Sequence, residues 1–400
     1  MGRYKTIDKM NFKGKRVLLR CDLNVPILNG KISDNSRLIR SLKTIKTLSS
    51  QGARTIIMSH LGRPKGEPIH HLSLKPIASS LRNYLNQDIY FCPSCLGPET
   101  ENTIAQMNDG EIVLLENLRF YSEEQANDKL FAKSLAGLAD YFVNDAFSCS
   151  HRAHASISGI TSYLESFAGP LLQEELSALA QVLEKPKHPL AAIIGGAKIS
   201  TKMRVLHNII SIAEHIIIGG GMANTFLAAQ GYKIGTSIFE ENMINDAKLI
   251  ISKANQRGCE IVLPIDCVTA SHLKANVSSN TWPIDCIPDN EMILDLGPLS
   301  LKKIFSVLRA CNTIVWNGPI GAFEIEPFGE GTSAIANEVS FLTGTRGIIS
   351  VAGGGDTLAA LNNARIIDRL SYTSTAGGAF LEWLEGRKLP GIEALSDFKK

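Results

Sequence analysis

The stretch PLAAIIGGAKISTK (189–202) decides how the chain is read. From Leu190 to Ile194 every position is apolar, so neither face of this strand is open to water. Helices must cover both faces, which is the environment of a parallel sheet in an α/β protein. Two glycines end the strand, and a polar run carrying Lys198 and Lys202 follows. Their spacing of four places both on one face of a helix opened by Gly195-Gly196-Ala197. Cations near a helix N-terminus oppose its dipole, so the pair makes electrostatic sense beside a bound anion. Solvated surface lysines are the competing reading.

Outward from this stretch the same unit recurs. Apolar runs at 16–23, 54–60, 87–92, 111–117 and 140–146 read as strands, as do those at 214–220, 260–266, 312–318 and 347–354. Amphipathic stretches lie between them. A chain of 400 residues exceeds one ordinary core, so the expectation is two doubly wound parallel-sheet, Rossmann-like lobes. In GPLLQEELSALAQVLEKPKHP (169–189), Leu171, Leu172, Leu176, Leu179 and Leu183 recur at helical spacing, and Pro186 and Pro189 stop the pattern. The expected division is a lobe over 1–170, a linking helix over 171–189 and a second lobe over 190–388. The final segment, LPGIEALSDFKK (389–400), is expected to pack back on the first lobe.

A formal net charge of +2 gives no general reason to expect nucleic acid or a membrane as partner. No apolar run is long enough to span a bilayer. The N-terminal sequence MGRYKTIDKMNFKGKRVLL lacks a signal-peptide core, so a cytoplasmic location is expected. Of the eight cysteines only Cys92 and Cys95 are close in sequence, so free thiols in a reducing compartment are expected.

Ligands of open α/β sheets bind beyond the carboxyl ends of the strands. Those ends differ between the two halves. The first half carries charge: Asp22 and Asn24, then His60-Leu61-Gly62-Arg63, then Arg119, then His151-Arg152-Ala153-His154. The second carries glycine: GGAKISTK (195–202), GGGMANTF (219–226), WNGPIGAFE (316–324) and GGGDT (353–357). One half thus offers side chains to an anion, and the other offers backbone amides at helix starts. Arg37 falls in the first turn of a helix capped by Ser33, Asp34 or Asn35. Alone it reads equally as an exposed arginine. Four arginines converging without a ligand would repel one another, so Arg37, Arg63, Arg119 and Arg152 point to a multiply charged anion. His60 and His151 adjoin that cluster, whereas His154 reads as structural. Asp22 is either a turn residue or, with Asn24, a partner for substrate hydroxyls and for the arginines.

In the second half, GGGDT lets the backbone approach a polyphosphate, and Asp356 is either a helix cap or a Mg²⁺ ligand. Glu324 is either a helix-start acid or a partner of ribose hydroxyls. There is no GxxxxGK[ST], no HRD and no DFG, which excludes P-loop nucleotidases and protein kinases. The run Gly219 to Asn224 fails GxGxxG at its last glycine, which weakens a dinucleotide-dependent dehydrogenase.

Together, RCDLNVP (20–26), SHLGRP (59–64), LLENLRF (114–120), NDAFSCSHRAHAS (144–156) and the four glycine segments resemble the phosphoglycerate kinase family, in its order and along essentially the whole chain. The resemblance implies reversible phosphoryl transfer between ATP and the carboxylate of 3-phosphoglycerate, giving ADP and 1,3-bisphosphoglycerate, in a Mg²⁺-dependent monomer whose lobes close on binding. It assigns Asp22, Leu23, Asn24, Arg37, His60, Leu61, Gly62, Arg63, Arg119 and Arg152 to 3-phosphoglycerate. It assigns Gly196, Ala197, Lys198, Lys202, Gly220, Gly221, Leu294, Asn317, Glu324, Gly353, Gly354, Gly355, Asp356 and Thr357 to the nucleotide. Arg37, Lys198 and Asp356 would act on the transferring group, with Asp356 on the metal. The chain departs from the family pattern at Cys21, usually valine, at Ser148, usually glycine, and at Ala376, which interrupts a glycine run. A non-catalytic nucleotide-binding regulator of the same fold is the alternative.

Overall fold

The structure, a computed structural model, describes residues 4–28 and 30–396. The chain forms two compact units, Met1–Leu176 with Lys388–Lys400, and Ser177–Arg387. The division falls inside the helix Pro170–Leu183.

The first unit contains β1 (Arg16–Arg20), a small hairpin of β2 (Ile27–Leu28) and β3 (Lys31–Ile32), β4 (Arg54–Met58), β5 (Ile89–Cys92), β6 (Ile112–Leu115), β7 (Tyr141–Asn144) and β8 (Glu165–Ala168). Six of these form one sheet in the order β5-β6-β4-β1-β7-β8, with parallel pairing throughout. The alternation along β1 shows why the sheet must be covered twice. Val17 and Leu19 pack with Leu38, Ile45 and Leu48 of the helix Ser36–Ser50. Leu18 faces the other way, with Phe131 and Leu135 of the helix Lys129–Gly137. Each such fully buried side chain contributes roughly 2 kcal/mol of transfer free energy.

The second unit contains β9 (Leu190–Ile194), β10 (His215–Ile218), β11 (Glu260–Val262), β12 (Asp266–Ala270), β13 (Asn280–Pro283), β14 (Met292–Leu296), β15 (Thr313–Asn317), β16 (Ile349–Gly353) and β17 (Tyr372–Ser374). Its parallel sheet runs β11-β10-β9-β15-β16-β17. Numbered within the unit this is 3-2-1-4-5-6, the doubly wound order whose ligand crevice opens where the winding reverses. Here that point lies beyond β9 and β15, at Gly195 and Gly318. In the first unit the reversal lies between β1 and β7, beyond which come Asp22 and Asp145.

The sequence reading of two doubly wound parallel sheets holds, with omissions. It has no strand at β8 or β17, which are short, partly polar edge strands. It also runs 260–266 as one strand, whereas the chain breaks after Val262. Asp266 then opens β12, the centre of a separate antiparallel sheet in the order β13-β12-β14. Residues 389–396 pack on the first unit: Gly391 N donates to Ser150 O at 2.8 Å, and Ser396 bridges to Tyr4. The remainder of that expected returning segment, 397–400, lies outside the described residues.

Candidate functional site

In the first unit, β1 ends in a loop tied by side-chain-to-backbone bonds to the segment that follows β4. Leu23 N donates to Ser59 Oγ at 2.9 Å, and Gly62 N donates to Asn24 Oδ1 at 2.9 Å. Arg37 reaches this loop from the helix Ser36–Ser50. Its Nη1 donates to Asn24 O at 3.0 Å and lies 3.1 Å from Asp22 Oδ2. That contact offsets the cost of a cation in the first helical turn, roughly 0.3–1 kcal/mol. Asn35 occupies the cap position without a capping bond; Asp34 Oδ1 instead accepts from Ser36 N at 2.9 Å.

His60 is buried and neutral. Arg20 Nη2 lies 3.1 Å from His60 Nδ1, and a guanidinium can only donate. Nδ1 is therefore the acceptor and Nε2 carries the proton. Burial first, then Arg20, Arg119 and Arg37, hold its pKa well below the usual histidine value. Leu61 N and Arg119 N both donate to Asn117 Oδ1, at 3.2 and 3.0 Å. Arg119 Nη1 donates to Gly62 O at 2.8 Å. Arg119 is depressed in pKa mainly by burial, with Arg20 and Arg63 adding to the effect. Arg63 and Arg152 are exposed. A cavity of about 520 Å³ borders the group, lined among others by Asn24, Arg37, Leu61 and Gly62. Asp22, His60 and Cys149 offer ligand atoms within 4.8 Å of one another. Arg20 and Arg37 already supply positive charge there, so an anion suits this site and a metal ion does not.

Sequence reasoning missed the residues that hold these groups. Arg20 is fully buried and also donates to Ser156 Oγ at 3.0 Å; a charged residue closing an apolar strand was its only signal. Asn117 and Asp145 left no signal beyond their places in LLENLRF and NDAFSCSHRAHAS. Asp145 accepts from Leu171 N and Leu172 N at 2.9 and 3.1 Å, capping the helix Pro170–Leu183.

In the second unit the glycines bring backbone against backbone. A Cβ at Gly195 would stand 1.9 Å from Pro319 O, and Gly220, at φ +68°, leaves room for Gly196 O. Gly220 is the cap of the helix Gly221–Ala229, and Met222 N donates to Gly196 O at 3.0 Å. Gly354, at φ +104°, caps the helix Gly355–Asn363, whose first turn carries Asp356. Asn317 braces these loops: its Nδ2 donates to Gly353 O at 2.7 Å, and its Oδ1 accepts from Lys202 Nζ. Thr357 Oγ1 accepts from Gly318 N at 2.7 Å. Burial pushes the Lys202 ammonium down to about 8, and Asp356 opposes that shift. Leu294 is buried in β14, packed with Ala270 and Phe328.

One local expectation fails. Lys198 and Lys202 do not share a helix: the helix begins at Met203, with Lys202 at its cap. Glu240 takes Ser200 N and Oγ at 2.9 and 2.6 Å, and so holds the loop out of helical geometry. Lys198 is exposed on that loop. Of the two readings of Glu324, the helix-start acid is excluded, because the residue lies in a turn and the next helix begins at Glu330. Ala376 is accommodated: it is buried, and its N donates to Ser374 Oγ at 3.3 Å.

A family model described as phosphoglycerate kinase matches residues 7–387. The chain is 48% identical over 392 residues to the phosphoglycerate kinase of Granulibacter bethesdensis, covering 98% of this chain and 99% of that protein. It is 48% identical over 393 residues to that of Sinorhizobium medicae, covering 98% of each. Its fold is similar to the phosphoglycerate kinase of Coxiella burnetii, with TM-score 0.92, 42% identity and 98% of each chain covered. The corresponding values for the Pyrococcus horikoshii enzyme are 0.82, 28% and 98% of each. Because the match runs through both units at this level of identity, the chain belongs to the phosphoglycerate kinase family.

Proposed function

We propose that the arginine-bearing site of the first unit binds 3-phosphoglycerate and the glycine loops of the second bind MgATP or MgADP. The enzyme is a phosphotransferase with a carboxyl group as acceptor, catalysing reversible transfer from ATP to 3-phosphoglycerate. The observation that carries the division of labour is the Asn317 brace, which ties Lys202 to the Gly353 carbonyl of GGGDT. It gathers a cation, two helix starts and a carboxylate in one place, as a polyphosphate requires.

The acceptor carboxylate is already ionised at pH 7, so no general base is needed. A carboxylate oxygen forms a bond to the γ-phosphorus as the bond to the bridging oxygen of ADP breaks. ADP leaves with that electron pair, and no proton moves. Catalysis reduces to aligning the reactants and neutralising charge on the phosphoryl group. Arg37, Lys198 and the amides opening the helices Gly221–Ala229 and Gly355–Asn363 supply that charge, with Lys202 on the nucleotide phosphates. Asp356 is an exposed hard-oxygen donor beside a helix N-terminus. It fits Mg²⁺ held jointly with substrate phosphates, and bound Mg²⁺ would neutralise phosphate charge there. The eight free cysteines, seven of them buried, suit a reducing cytoplasm. The proposed state is a monomer, as the family resemblance implies. Among the described residues no helix is long and apolar enough to cross a membrane.

A coupled assay with MgATP and 3-phosphoglycerate, run across pH, tests this reading. Lys202 binds phosphate only while protonated, and burial sets its pKa at about 8. In the free enzyme kcat/KM for MgATP is expected to stay level up to that pH and then fall about tenfold per unit. The substitution Lys202→Met should lower kcat/KM at every pH and remove the break. Absence of turnover, or a break that survives in Lys202→Met, would contradict the assignment.

A further inference from the structure

We infer that Ser148 is a positioning residue for the acid substrate, acting through Asp22; this rests on the reading above that Asp22 contacts 3-phosphoglycerate. Ser148 lies in the single turn Phe147–Cys149 that follows β7, and its Oγ donates to Asp22 Oδ2. The other donors to this carboxylate come from its own side of the winding reversal. Asn24 N reaches Oδ1 at 3.1 Å, and Arg37 Nη1 lies 3.1 Å from Oδ2 and 3.4 Å from Oδ1. Ser148 alone among these ties Asp22 across to the end of β7. The only other contact of its hydroxyl among the described residues is Cys149 Sγ at 3.7 Å, a far weaker alternative.

A carboxylate only accepts, so a substrate hydroxyl must donate to whichever lone pair its neighbours leave exposed. With Ser148 on Oδ2, the plane of the carboxylate is fixed from two strands. Without it, the group is held from one side and turns toward Arg37. Arg37 keeps its bond to Asn24 O at 3.0 Å, so the charge that serves transfer stays in place. The consequence falls on substrate binding and spares turnover.

The test is steady-state kinetics on Ser148→Ala, Ser148→Thr, Asp22→Asn and the double variant Asp22→Asn/Ser148→Ala. Ser148→Ala should raise KM for 3-phosphoglycerate about fivefold, the worth of one such hydrogen bond. Its kcat should stay within about twofold and its KM for MgATP should not change. Ser148→Thr, which keeps the hydroxyl, should restore KM. In the Asp22→Asn background Ser148→Ala should add nothing. The inference fails if Asp22→Asn raises KM and Ser148→Ala does not. It also fails if the two effects multiply, or if KM for both substrates rises together with a lowered Tm. An Asp22→Asn variant with unchanged KM would instead remove Asp22 from the substrate, and the reading beneath this inference with it.

Discussion

Arg37→Ala is expected to lower kcat about a hundredfold, the usual cost of removing one preorganised charged donor from a transition state. KM for 3-phosphoglycerate should change far less. The physical case is the position of the side chain. Its Nη1 is steadied by Asp22 and by the Asn24 carbonyl, yet the side chain remains 33% exposed at the mouth of the loop. A fixed cation at an open site meets charge as it develops and pays little reorganisation when it does. Arg63 and Arg119 differ. Arg63 is exposed, and Arg119 is anchored on the Gly62 carbonyl, so both are suited to hold the ground-state anion. Arg63→Ala and Arg119→Ala should therefore chiefly raise KM. Parallel steady-state measurements decide the matter: an Arg37→Ala variant that raises KM with kcat intact would erase the distinction.

Asp356→Asn should cost roughly a hundredfold in kcat as well, in keeping with the several kcal/mol a catalytic metal contributes. Folding should be unaffected, because the carboxylate is exposed and packs against nothing in the core. The amide keeps the shape and loses the charge, so the variant should also need more Mg²⁺ to reach half its maximal rate. Titrating Mg²⁺ in the assay reads this directly. Unchanged kcat with unchanged Mg²⁺ dependence would remove Asp356 from the metal.

The central strands were legible because burial on both faces leaves an uninterrupted apolar run, as in β1, β6, β9 and β15. The edges were not. β8 has a strand partner on one side only, meeting Thr6 through a single bridge on the other, and carries Glu165 exposed; β17 spans three residues. The antiparallel sheet was lost because Pro264 interrupts a run that otherwise reads as one strand. At the site, residues directly beyond strand ends were legible because sheet geometry gathers them. Arg20, Asn117, Asp145 and Ser148 were not, because they act through partners far along the chain. Ser148 and Asp22 are 126 positions apart, and no local pattern encodes such a pair. The Lys198–Lys202 spacing misled for the same reason, since Glu240, 40 positions from Ser200, decides that loop.

The central claim is that the two ligands are held by separate sets of residues, side chains in one unit and glycine loops in the other. Calorimetric titration of Arg119→Ala and Lys202→Met with 3-phosphoglycerate and with MgADP tests it most directly. Arg119→Ala should weaken 3-phosphoglycerate about tenfold or more, the worth of a charge-assisted hydrogen bond, and leave MgADP unchanged. Lys202→Met should do the reverse. If either variant lost affinity for the other's ligand, or for both equally, the division of the site proposed here would be contradicted.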